Sequence, residues 1–200
     1  MSRSPALVSF DRHAGWLVAL CCVLAVLGFA AALPEFSHRQ HPPALLGAHG
    51  VPHALAFNLL AFVVPGLLAA WLYARLRDRL PPRAGRRAAV GAWMLVISAL
   101  AFAAQGLWPL DPTDLDGAVS QRHTTGWLLW WLAFVPGALL LGAGLYRQAS
   151  SRGVAVAFLV AGALTVVLNL LPTSWLPGPI AQRLVMLLWL ACLAMASRVR

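Results

Sequence analysis

The sequence predicts an all-α, polytopic integral membrane bundle of six transmembrane helices with both termini cytoplasmic. Three observations lead there. The 200-residue chain is 60% apolar and 10% charged, against about 45–50% and about 25% in soluble domains. Its apolar residues fall into six blocks, most of them near the ~20 residues that cross a bilayer. Its arginines gather in alternate loops. This composition excludes a soluble globular enzyme, a disordered tail and a disulfide scaffold. All 15 basic residues are Arg, so Schiff-base chemistry is excluded as well, for lack of an amine side chain.

The first span covers residues 14–33, the second 54–74, the third 88–110, the fourth 124–146 and the fifth 153–171. The sixth, 180–196, is the weakest, because it must take in Gln182 and Arg183 at the membrane boundary. There an Arg can snorkel its guanidinium to the headgroups. The remaining loops are too short for a soluble domain, so residues 1–200 form one six-helix domain. Residues 1–32 also resemble a secretory signal, with a basic start and a run of Ala30, Ala31 and Ala32. The apolar stretch is longer than a signal core, and span one is expected to be retained.

Charge sets the orientation. Arg3, Arg12, Arg75, Arg77, Arg79, Arg83, Arg86, Arg87, Arg147, Arg152, Arg198 and Arg200 fall on one side of the spans; only Arg39, Arg122 and Arg183 fall on the other. The positive-inside rule makes the crowded side cytoplasmic and the membrane the cell inner membrane. The formal charge of +9 then implies anionic lipid, not nucleic acid, as the partner. Spans two and four share the strings Phe62-Val63-Val64-Pro65-Gly66 and Phe134-Val135-Pro136-Gly137. Each Pro-Gly pair is expected to kink its helix, with a neighbour taking up the freed carbonyl. Cys21, Cys22 and Cys192 lie within spans and read as packing residues.

Polar residues collect toward the outer side. Asn58, Gln105, Asn169 and Gln182 are expected at one depth, either as interhelical hydrogen-bonding groups or as a ligand-binding layer with Arg183. Asp111, before Pro112, faces His123 across a short loop. A carboxylate that orients an imidazole can build a general base, so the two are candidate catalytic residues; a loop-closing hydrogen bond is the favoured reading. His38 with His41, and His49 with His53, have helical spacing, but Pro42, Pro43 and Pro52 interrupt it, and Pro52 reads as the first residue of span two. Asp111, Asp114, Asp116 and Gly117 miss the calcium-loop pattern at both ends. No metal site and no cofactor is expected.

Several segments carry a family resemblance: Pro43-Ala44-Leu45-Leu46-Gly47-Ala48 before Phe57-Asn58; Pro65-Gly66-Leu67-Leu68; Gly106-Leu107-Trp108-Pro109-Leu110-Asp111-Pro112, followed by His123 and Gly126; and Gly178-Pro179-Ile180-Ala181-Gln182-Arg183-Leu184. Across most of its length the chain resembles the bacterial and archaeal membrane family known as domain of unknown function 998. A Trp stands at 108 where that family more often has Phe. The resemblance implies about six spans and no activity; it points to Asn58, Asp111, His123, Gln182 and Arg183. The expectation is an inner-membrane protein with an outward polar pocket for a lipid headgroup or small solute. Two alternatives stand beside it: a membrane hydrolase or transferase working through His123 and Asp111 on a lipid-like substrate, and a structural bundle that packs against a membrane-protein partner.

Overall fold

The computed structural model describes the backbone of residues 5–199 and side chains from His13 onward. Arg3 and Arg200 lie outside the described residues. Six helices follow one another: α1 (Pro5–Ala31), α2 (Ala54–Arg79), α3 (Gly85–Leu107), α4 (Ala118–Leu145), α5 (Arg152–Leu170) and α6 (Gly178–Ala196). All six are long and apolar enough to cross a membrane, and no strand occurs among the described residues. The outward faces stay apolar: Leu17, Leu20 and Leu24 of α1, Val160 of α5 and Leu187 of α6 are exposed. An apolar belt of that extent would aggregate in water and is compatible with a multi-pass membrane protein.

Each helix packs on the next, and α6 closes the ring onto α1. Small residues let the backbones approach. A Cβ on Gly66 of α2 would come within 2.6 Å of the Ala103 backbone nitrogen of α3, and one on Gly144 of α4 within 2.8 Å of the Ala84 carbonyl. In lipid such close packing replaces the hydrophobic effect as the main attraction between helices. Aromatic rings fill the centre. Phe62, Phe102, Trp130 and Trp189 are almost wholly buried, with Phe102 5.1 Å from Phe62, 5.2 Å from Trp130 and 4.6 Å from Trp189 between centroids.

Helix ends follow local chemistry. The third helix stops at Leu107, short of the expected 110, because Trp108 precedes Pro109 and takes a non-helical conformation (φ −118°, ψ 81°). The fourth starts at Ala118, six residues earlier than expected, since its first turns are polar and do not need lipid. Pro52 lies before α2, which is capped by His53 in the left-handed region (φ 61°). His53 is therefore a cap and Pro52 a turn residue, not the first residue of the helix.

The two Pro-Gly strings behave differently. In α2 the residues before Pro65 form a π-helical turn, Leu59–Val63; α4 runs through Pro136 without a break. Pro65 has no N–H to offer the Ala61 carbonyl four residues earlier. The Cys22 thiol of α1 donates to that carbonyl at 3.3 Å, and the neighbouring Cys21 thiol lies 3.6 Å from the Leu60 carbonyl. Cys22 is thus more than a packing residue. Replacing it with Ala removes that interhelical donor and is expected to cost about 0.5–1.5 kcal/mol, while Ser retains most of the stability. Unfolding midpoints in a denaturing-detergent titration check this; equal midpoints for wild type, Cys22→Ala and Cys22→Ser would refute it.

Candidate functional site

The site lies at the end of the bundle that carries the loops 32–53, 108–117 and 171–177. Loop 32–53 lays the short 3-10 turn Pro43–Gly47 against α1, α2 and α6. Two bonds fasten it. The Asn58 side-chain amide donates to the Gly47 carbonyl at 2.8 Å, and the His49 amide donates to the Leu110 carbonyl at 2.8 Å. Gly47 must be glycine here, since a Cβ would collide with the Asn58 side chain. Beneath the turn is a chamber of about 170 Å³ walled by Pro42, Pro43, Ala44, Phe62, Leu110, Thr124, Trp127 and Met186, with Gln105, His123 and Gln182 as its amide and imidazole groups.

His123 is held firmly. Its Nδ1 lies 3.0 Å from the Trp108 carbonyl and 3.1 Å from the Gln105 carbonyl. Carbonyl oxygens only accept, so Nδ1 carries the hydrogen and the lone pair of the neutral ring sits on Nε2. The reason lies in α3: Pro109 has no N–H, so the Gln105 carbonyl four residues before it needs another donor. The Phe62 ring meets the imidazole nearly edge-on, 6.4 Å between centroids. Gln105 is 1% exposed, and its side-chain nitrogen has no hydrogen-bond partner.

The expected pairing of Asp111 with His123 does not form: among the described residues no hydrogen bond joins them. Asp111 Oδ1 instead accepts from the Thr113 hydroxyl at 2.7 Å and the Thr113 amide at 2.9 Å. These bonds, the hydroxyl first, hold the carboxyl below its ordinary range, with a smaller contribution from His49. The Asp111 loop is tied to α4 through the buried Ser120, whose hydroxyl accepts from the Asp111 amide at 3.1 Å and donates to the Asp114 carbonyl at 2.8 Å. Sequence reading passed over Ser120, because nothing in its neighbours distinguishes it from an ordinary first-turn serine.

The expected layer of four amides is divided. Gln105 and Gln182 meet at the chamber. Asn58 is committed to the loop, and Asn169 donates to the Thr165 carbonyl of its own helix at 2.9 Å. Arg183 lines an adjoining groove that shares the Pro43 and Met186 walls. The chamber walls Trp127, Thr124 and Met186 had no polar periodicity by which to find them. Among the described residues no group of three or more His, Cys, Asp or Glu is placed to hold a metal ion. No family model, curated protein or solved structure matches the chain.

Two predictions follow from these contacts. His123→Ala strands two carbonyls and is expected to lower stability by about 1–3 kcal/mol. Asp111→Ala acts on a separate contact, so the double variant is expected to be additive within about 0.5 kcal/mol; a larger coupling in denaturation would restore the dyad. Separately, the depressed Asp111 value means that its clasp is intact above the free carboxyl's range and lost as pH falls through the lower folded value. Thr113→Val is expected to raise the Asp111 titration midpoint, read by carboxyl-carbon NMR; an unmoved midpoint would discredit the clasp.

Proposed function

We propose that the chain is a multi-pass protein of the cell inner membrane with both termini cytoplasmic, and that its chamber opens outward and binds a small acceptor-rich solute or lipid headgroup. The arginine asymmetry supports the orientation. One observation carries the chamber's role: Gln105, which lines the chamber beside His123 and Gln182, has a buried side-chain nitrogen without a partner. An unpartnered buried donor costs about 1–3 kcal/mol. A ligand oxygen that accepts from it recovers that loss. No acidic side chain lines the chamber, so its chemistry suits a phosphate, carboxylate or carbonyl, not an amine.

The Nε2 lone pair of His123 favours a second reading, a membrane hydrolase or transferase in which His123 is the general base. Backbone carbonyls then orient the ring, in place of Asp111. Membership of the domain of unknown function 998 family is our reading of the motifs quoted above and adds no activity to either.

Gln105→Met tests the binding reading, because Met has a similar unbranched shape and no amide. The purified wild type is expected to gain thermal stability with glycerol phosphate, phosphoethanolamine or acetate, by about 2.7 kcal/mol at a hundredfold excess over Kd. Gln105→Met is expected to be at least as stable without ligand and to lose that gain. No gain in the wild type with any of the three, or an undiminished gain in the variant, would overturn the reading.

A further inference from the structure

Beside the chamber an apolar groove runs between α1 and α6. Its volume is about 160 Å³, and its walls are Cys22, Val23, Val26 and Leu27 from α1 against Met186, Leu187 and Leu190 from α6. Arg183, Met186, Leu187 and Leu190 are spaced i, i+3, i+4 and i+7, which is one helical face. They run about 10 Å along the axis, with the arginine at the loop-bearing end. His38 lies at the same end, and no carboxylate lines the groove.

The arginine is half-engaged. Its Nη1 donates to the Pro179 carbonyl at 2.8 Å, one turn back on α6. Its Nε and Nη2 are buried and have no hydrogen-bond partner. Those two atoms form one edge of the guanidinium, a two-pronged fork that matches two oxygens of a phosphate. The Phe36 ring, 5.7 Å from the guanidinium carbon, is its near cover. A guanidinium edge that is buried without an acceptor is an arrangement that an anionic ligand would complete.

We propose that the α1–α6 groove holds one anionic phospholipid from the bilayer, with its phosphate on the Nε–Nη2 fork of Arg183 and part of an acyl chain between the two helices. Phe36 gives way as the headgroup enters. The volume is near that of a ~150 Å³ cavity that binds benzene, so about six carbons fit and the rest of the chain must leave sideways. The exit is present: Leu27 is 51% exposed and Leu187 50% exposed on the lipid face. Without a carboxylate to meet an ammonium, the groove favours a net anion over a zwitterion. The inference rests on the membrane reading above but not on the chamber.

The test uses the delipidated full chain in detergent, with added phosphatidylglycerol or phosphatidylcholine and retained lipid counted by native mass spectrometry. Phosphatidylglycerol is expected to be retained about tenfold better. Arg183→Gln is expected to bring that ratio near one, and Arg183→Lys to keep part of it. Leu187→Trp fills the groove and is expected to lower retention of both lipids. Arg122→Gln, an exposed arginine outside the groove, is expected to change neither. An anionic preference that survives Arg183→Gln, or retention that survives Leu187→Trp, overturns the proposal. Loss of the anionic preference in Arg122→Gln also overturns it, by making the preference a matter of overall charge. Failure of the chamber reading, seen as no thermal gain from solutes, leaves all these lipid measurements standing.

Discussion

Two prolines each leave a carbonyl that an apolar interior cannot leave bare, and the site is built around the repair. In water a freed carbonyl binds solvent; in lipid it must find a donor from the protein. Pro65 frees Ala61, and the Cys22 thiol reaches it from α1. Pro109 frees Gln105, and the His123 imidazole reaches it from α4. Both repairs tie helices from different parts of the chain. The second also fixes the tautomer of the one histidine within the helical bundle's chamber. An imidazole fastened at Nδ1 leaves Nε2 as its only adjustable nitrogen, so its chemistry follows from a backbone defect in another helix.

The central aromatic cluster sets how deep the site can go. Phe62, Phe102, Trp130 and Trp189 occupy the axis of the ring, and Phe62 is also a wall of the chamber. Rings at these separations leave no passage for a solute. The chamber is therefore a blind recess at one end of the bundle. Its roof, the turn at Pro43–Gly47, is held by Asn58 and by the His49–Leu110 bond rather than by packing alone. Sequence-distant loops thus have to be fastened before the recess has its partial roof.

The helices were legible because lipid imposes a length and a polarity that any apolar run must meet. The expectation that a neighbour takes up a freed carbonyl holds at Pro65, where the Cys22 thiol does so, whereas the helix at Pro136 runs on unbroken. Which neighbour does so was not legible, since Cys22 and Ala61 are 39 residues apart and nothing in either flank encodes their depth match. The same limit explains Asp111 and His123. Proximity in sequence suggested a carboxylate–imidazole pair, but a carboxylate at the surface has a hydroxyl and an amide two residues away, and the imidazole has two carbonyls in the interior. Each group took the partner that its own environment made costlier to leave alone. The expected layer of four amides rested on depth along the sequence; their direction around each helix separates Gln105 and Gln182 from Asn58 and Asn169, and depth carries no information about that angle.

His123→Ala cannot separate the two roles of this side chain, because it removes Nε2 and the cap on α3 together. Gln105 is the cleaner reporter: its backbone carbonyl is structural, but its side-chain nitrogen bonds to nothing. Arg183 has the same division within one side chain, with Nη1 anchored to Pro179 and the opposite edge unengaged. In both residues one atom is held by the fold and another is left over, and the leftover donors border two spaces that share Pro43 and Met186 as walls. A methionine between two cavities is an adaptable partition, since its unbranched thioether reshapes at low cost.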